Sequence, residues 1–342
     1  MKKAKKLVAL LVSTLMIMSV WGCGTSSGTA APASAAPASA APAAGNPSST
    51  AADTTNTAKG KKIALIPPAM ISPYYASVIA GAKKAVAESG DQLVTLAPAS
   101  ESDYAAQVQI VEDMITQKVD GIIICAINSD AIVSAVKKAN EAKIPVVMFN
   151  IQNDLAGGEV ASYIKYDQYE GGAKVCDFVA KQFNGKAKVA IIEGLPSDQT
   201  TQRKNGFVET AKAKYPGIEI VASQPGDWER EKGMNAASNM LQAHPEVNVI
   251  FALCDEMGLG AVEAVKQAGS SAKVCSFDGN PNAIDSIKAG QLLSTLSSGA
   301  TETGEIAVKT LDSIFSGKTV DKTIKVDTTL VSSENAKDFS AQ

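Results

Sequence analysis

The sequence predicts an α/β protein built from doubly wound parallel sheets. Three observations carry this reading. Short apolar runs alternate with stretches of helical periodicity, and the alternation recurs through most of the chain. The runs are continuous, as in GIIICA at 121–126, which suits a strand buried on both faces. The connections are short, so right-handed crossovers within parallel sheets are the economical solution.

The first strand is expected at 62–67 (KIALIP), ended by Pro67-Pro68. Ser72-Pro73-Tyr74-Tyr75 opens a helix to about Ser89, because Ser just before and Pro inside a first turn are start signals. Gly90 stops it. A strand follows at 92–96 and a helix at 103–117, where Tyr104, Val108, Val111 and Ile115 recur at helical spacing. Then come the strand at 121–126, a helix at 129–142 and a strand at 144–149 that ends in Asn150.

The rhythm then restarts. Strands are expected at 162–166, 187–193 and 218–223, with helices at 169–184, 200–215 and from Gly226-Asp227-Trp228 to Ala243. A strand at 247–253 ends in Cys254-Asp255-Glu256, a small-residue helix covers 257–267, and a strand at 273–277 ends in Asp278-Gly279-Asn280. Ligands of parallel α/β sheets sit outside the carboxyl ends of the strands. Cys254, Asp255, Phe277 and Asp278 are therefore expected to line a crevice. For Asp255 the competing role is to cap the adjacent helix, and Asp is a preferred cap.

The 342-residue chain carries a net charge of −3, so nothing argues for a nucleic-acid partner, whose proteins present basic patches. Its one histidine, His244, reads as a surface loop residue. A catalytic triad or a histidine-based zinc site would have to use it, so no metal or cofactor is expected. Gly258-Leu259-Gly260 lies within a helix rather than in the turn before one, and Gly317-Lys318-Thr319 lacks an upstream glycine, so neither is a nucleotide loop. An enzyme is not expected.

At the amino terminus, four lysines precede an apolar run over 7–18 and the sequence Ser19-Val20-Trp21-Gly22-Cys23. That pattern makes 1–22 a secretory signal rather than a spanning helix. Gly22-Cys23 resembles a bacterial lipobox, which implies lipid on the Cys23 thiol. Val20 and Trp21 depart from that motif's usual residues, and plain secretion is the alternative. Residues 23–60 are Ala, Pro, Ser, Thr and Gly with almost no large apolar side chain, a composition that cannot offset its ordering entropy. They read as a disordered stalk holding a folded body outside the cell membrane.

From about Lys61 to Val331 the chain resembles the ribose-binding-protein group of periplasmic binding proteins, whose fold is shared by lactose-type repressor effector domains. The resemblance rests on SPYY at 72–75, DGIIICAINSDAI, KIPVVMFN, AKVAIIEG, ASQPGDWER, NVIFALCDEMGLGA and SFDGNP in this order. It implies the type I architecture: two doubly wound lobes joined by a three-stranded hinge near Tyr166, Ser298 and Val326. The lobes would be 61–166 plus 299–326 and 167–298 plus 327–342. Ligand binds between them and they close on it.

By the same resemblance, Tyr74, Tyr75 and Trp228 match stacking aromatics of the sugar site, and Asp278 matches a hydroxyl-accepting Asp. The alternative for the two tyrosines is packing at the domain edge. Asn150 stands at an Asp position. Cys125 and Cys254 stand at two Asn positions, Ile151 and Thr201 at two Arg positions, Ser298 at the hinge Gln, and Ser72 at an Asn. Arg203 reads as packing, and the role of Gln199 is open. Aromatic walls kept beside an altered polar lining imply a sugar-like ligand other than ribose: a deoxy sugar, a polyol or a furanone-type sugar.

Cys125, Cys176, Cys254 and Cys275 fit no zinc spacing and are expected as buried thiols. A Cys125–Cys254 bridge is the alternative, and it would lock the lobes shut. The resemblance implies a monomeric, lipid-anchored, substrate-binding protein of an ABC importer that presents its ligand to a membrane permease. The alternative is a sensor docking on a chemoreceptor or histidine kinase. A transcription factor is opposed by the export signal.

Overall fold

The computed structural model describes residues 60–339. The signal at 1–22, Cys23 and nearly all of the stalk at 23–60 lie outside the described residues. The described residues belong to one compact unit, Thr57–Gln342.

The chain opens with β1 (Lys62–Ile66), α1 (Pro73–Ser89), β2 (Gln92–Thr95), α2 (Tyr104–Thr116), β3 (Gly121–Ile124), α3 (Ser129–Glu141), β4 (Val146–Phe149) and β5 (Ser162–Lys165). After α4 (Gln168–Gln182) come β6 (Lys186–Glu193), α5 (Asp198–Lys214), β7 (Gly217–Pro225), α6 (Arg230–Ala243), β8 (Val249–Ala252), α7 (Asp255–Gln267), β9 (Lys273–Asp278), α8 (Pro281–Lys288) and β10 (Ser294–Ser297). The chain finishes with α9 (Ala300–Phe315), β11 (Thr323–Lys325) and β12 (Thr329–Ser332).

These strands form two six-stranded sheets, in the orders β11-β5-β4-β3-β1-β2 and β12-β10-β9-β8-β6-β7. Every pairing is parallel except that of β10 with β12. The result is two α/β lobes, and the chain passes between the sheets after β5, after β10 and after β11. The central strands β1, β3, β4 and β8 are almost wholly buried, which is why their sequences read as unbroken apolar runs.

Helix starts follow from local chemistry. Asp103, Asn128, Asp167 and Ser197 each accept a backbone N–H of the first turn through a side-chain oxygen. Ser72 makes no such bond, and Pro73 opens α1 instead. Helices α1 and α9 touch backbone to backbone: a Cβ on Gly81 would lie 1.9 Å from the Thr301 carbonyl oxygen, and one on Gly304 1.9 Å from that of Val78.

Two expectations need correction. Helix α7 starts at Asp255 rather than at Met257, and its N-cap is Cys254, without a side-chain cap bond. Asp255 therefore does not cap it. The carboxylate is fully buried and ties strands together: it accepts from Thr295 Oγ1 (2.6 Å), from the Asn280 N–H (2.7 Å) and from Ser276 Oγ. Phe277 is also fully buried beneath the strand ends rather than exposed in a crevice.

Candidate functional site

The carboxyl ends of the two sheets face one crevice, with about 470 Å³ between its walls when space open to solvent is included. The first sheet contributes Ser72, Tyr74 and Tyr75 at the start of α1, Glu101 after β2 and Asn150 after β4. The second contributes Gln199 and Arg203 on α5, Trp228 after β7, Cys254 and Glu256 at α7, Asp278 as the last residue of β9 and Asn280 just after it. Every one of these positions lies at or beyond the carboxyl end of a strand.

Arg203 organises the floor. Its Nε donates to Gln168 Oε1 (2.6 Å), Nη1 to the Leu253 carbonyl (2.6 Å) and to Asp278 Oδ1 (3.2 Å), and Nη2 to Tyr166 Oη (2.5 Å). The guanidinium lies 4.0 Å from the Phe277 ring centroid, 5.7 Å from that of Trp228 and 6.0 Å from that of Tyr166. Charge pairing and ring faces together compensate the burial of this cation. Burial pushes the Asp278 carboxyl upward, and Arg203 opposes that push.

The walls are aromatic. The Tyr74 and Tyr75 rings meet edge-on with centroids 5.2 Å apart, and Tyr75 leans on Phe149 at 6.4 Å. Tyr75 Oη lies 3.8 Å from Cys125 Sγ, while the buried Tyr74 hydroxyl has no hydrogen-bond partner among the described residues. An unpartnered buried hydroxyl at a cavity wall is a place for a ligand's polar group. Opposite, the Trp228 indole lies against Gly194, where a Cβ would fall 2.0 Å from the ring; only glycine leaves room. Three lining residues that are not glycine have positive φ: Asn150 (52°), Trp228 (68°) and Asp278 (120°). Such strain clusters at ligand clamps.

The two lobes touch across the crevice. Asn153 Nδ2 donates to Asp198 Oδ2 at 2.8 Å, and Gln199 Nε2 donates to the Asn150 carbonyl. Gln168 Nε2 donates to Asn150 Oδ1 at 3.1 Å.

Of the residues anticipated from sequence, Tyr74, Tyr75, Asn150, Trp228, Cys254 and Asp278 line this crevice. Cys125 lines an adjoining hollow at its mouth, shared with Tyr75, Glu101 and Trp228. Thr201 does not join them: it is exposed, and its Oγ1 donates to the Ser197 carbonyl. Ser298 is fully buried behind the site, with its N–H 3.2 Å from the Asp278 carbonyl. Cys125, Cys176, Cys254 and Cys275 are all free buried thiols. His244 is near Glu246 at the end of α6, away from the crevice.

Sequence reasoning missed Glu101, Glu256 and Asn280 as lining residues and read Arg203 as packing alone. Asn280 and Glu256 stand just beyond the ends of β9 and β8. Glu101 lies in a loop beyond β2, and nothing in its surroundings marks it. Its half-buried carboxyl is pushed up to about 7 by burial and by the charge of Asp278.

A family model described as "Periplasmic binding protein domain" matches residues 63–319. The chain is 35% identical over 254 residues to the ribose import binding protein of Bacillus subtilis, covering 74% of this chain and 81% of the relative. It is similar to the crystal structure of an ABC transporter periplasmic solute binding protein from Actinobacillus succinogenes with bound D-allose. That match has a TM-score of 0.78 and 32% identity, over 82% of this chain and all of the other. It is also similar to an ABC transporter solute binding protein from Agrobacterium vitis with bound D-fucose. There the TM-score is 0.75 and the identity 28%, over 80% of this chain and 96% of the other.

Proposed function

The chain belongs to the periplasmic binding protein family, in its ribose-binding-protein-like group, and from that membership we propose that it is the extracytoplasmic solute-binding protein of an ABC importer. It binds a small sugar or sugar-like molecule between two lobes that close on it, and delivers the closed form to a membrane permease. The observation that carries this reading is the crevice itself: strand ends of both sheets, the Tyr74, Tyr75 and Trp228 rings, and the Asp278 carboxylate, all around one small cavity. Apolar C–H faces of a sugar pack on rings, and hydroxyls donate to a carboxylate more strongly than to a neutral acceptor. Binding, not bond breaking, is the work.

The lobes move as 61–166 plus 299–326 against 167–298 plus 327–342, with the three chain passages as the hinge. The ligand is a deoxy sugar, a polyol or a furanone-type sugar in preference to ribose. Cys125 and Cys254 give no strong hydrogen bond, and Ile151 gives none. D-Fucose, a deoxy sugar, in a similar structure supports this direction. Residues 1–22 are removed, Cys23 carries the lipid, 23–60 form the stalk, and the protein works as a monomer without cofactor.

The test is a thermal-shift screen against pentoses, hexoses, deoxy sugars and polyols, followed by calorimetry. A ligand that binds only the folded chain raises its melting temperature. Trp228→Ala and Asp278→Ala are each expected to weaken the hit about tenfold or more, consistent with loss of ~1.4 kcal/mol or more. Ribose bound more tightly than every deoxy sugar and polyol would overturn the ligand preference.

A further inference from the structure

We propose that the ligand carries a basic nitrogen, as an amino-deoxy sugar or an amino polyol, whose ammonium group sits between Glu101 of one lobe and Asp278 of the other. The inference deepens, and rests on, the solute-binding reading above.

Charge in the crevice is unbalanced. Its lining holds three carboxylates, Glu101, Glu256 and Asp278, against one cation, Arg203. Glu256 is already matched by Arg230, which donates to it through Nε and Nη2 at 3.0 Å each. Arg203 is committed to Gln168, the Leu253 carbonyl, Tyr166 and one oxygen of Asp278. That leaves Glu101. No hydrogen bond or ion pair holds its carboxylate among the described residues, although it faces the same cavity as Asp278.

Two carboxylates brought together by lobe closure repel, and burial strengthens the repulsion. A neutral hydroxyl leaves Glu101 to relieve that repulsion by holding a proton, as burial and Asp278 favour. An ammonium group donates three hydrogen bonds and removes the imbalance. Tyr74 and Trp228 line the same crevice, and aromatic rings attract an ammonium. The unpartnered Tyr74 hydroxyl calls for a hydroxylated body, which separates this ligand class from simple alkylamines.

The experiment uses the full-length chain at pH 7 and calorimetry with matched sets: D-glucose, D-glucosamine and N-acetyl-D-glucosamine; the galactose equivalents; and D-sorbitol with 1-amino-1-deoxy-D-sorbitol. At least one amine is expected to bind about tenfold or more tightly than its hydroxyl and N-acetyl counterparts. Glu101→Gln, which keeps the side-chain shape, is expected to bring that preference within about twofold, and Glu101→Asp to keep part of it. Neutral sugars that bind as tightly as their amines, or an amine preference that survives Glu101→Gln, would overturn this inference and leave the solute-binding reading standing. Failure of every sugar, polyol and amine to bind would overturn both.

Discussion

Arg203 is the single residue on which the crevice floor depends. Its guanidinium is buried, and four partners accept its hydrogen bonds. Removing one partner of a buried ion pair costs far more than the pair's net worth, because the other charge is left unpaired. Arg203→Ala is therefore expected to destabilise the fold by about 3–5 kcal/mol in urea unfolding. Adding Asp278→Asn should return part of that loss. A single-variant loss below about 1 kcal/mol would place the stability of the floor elsewhere. The contrast with Thr201 explains what the sequence concealed. Two residues apart on a helix point in nearly opposite directions, so Thr201 faces solvent while Arg203 faces inward. The sequence position that matched a sugar-reading arginine was the wrong one of the pair to supply a cation to this floor.

At the scale of elements, most strands were legible because burial on both faces demands continuous apolar runs. The carboxyl-terminal strands carried no such signal. In β10 every residue is buried, yet three of its four are Ser or Thr, and Thr295 is accommodated by donating to Asp255. β11 is a three-residue edge strand with largely exposed side chains, so periodicity had nothing to register. Crevice-lining residues at strand exits, such as Asn150, Cys254 and Asp278, were legible by position. Glu101 was not, because how far a loop reaches is a tertiary property. The helices pack through small residues. At the α1–α9 contact, a side chain on Gly304 would press into the Val78 carbonyl, which cannot yield without moving α1. Gly304→Val is expected to destabilise by about 1–3 kcal/mol or more, read from chemical unfolding. An unchanged midpoint would show that the two helices separate freely.

For the whole molecule, the crevice makes stability depend on pH. Glu101, ordinarily near 4.5, is held at about 7 in the folded chain, where it faces Asp278, Cys125 and Tyr75. A carboxyl raised by folding keeps its proton while the unfolded chain has lost it. Its contribution is full below about pH 4.5 and is lost as pH rises through about 7. Burial pushes Asp255 and Asp278 in the same direction, and burial with neighbouring Asp91 raises Asp312 to about 6. Surface carboxylates lowered by lysines, such as Glu170 and Glu305, act the other way but below the ordinary carboxylate range. The melting temperature of the ligand-free protein should thus fall from about pH 5 to about pH 8, and Glu101→Gln should flatten part of that fall. A melting temperature that climbs across this window would contradict the arrangement. The buried thiols have a different consequence. Burial pushes Cys125, Cys176 and Cys275 to about 12 and Cys254 well above its ordinary value. Only the thiolate attacks an alkylating reagent, so the folded body is nearly silent to maleimide dyes at neutral pH. Cysteines installed at exposed Ile71 on one lobe and exposed Glu231 on the other would then take a fluorophore pair without removing any of the four buried native cysteines. Energy transfer between the dyes would report opening and closing one molecule at a time.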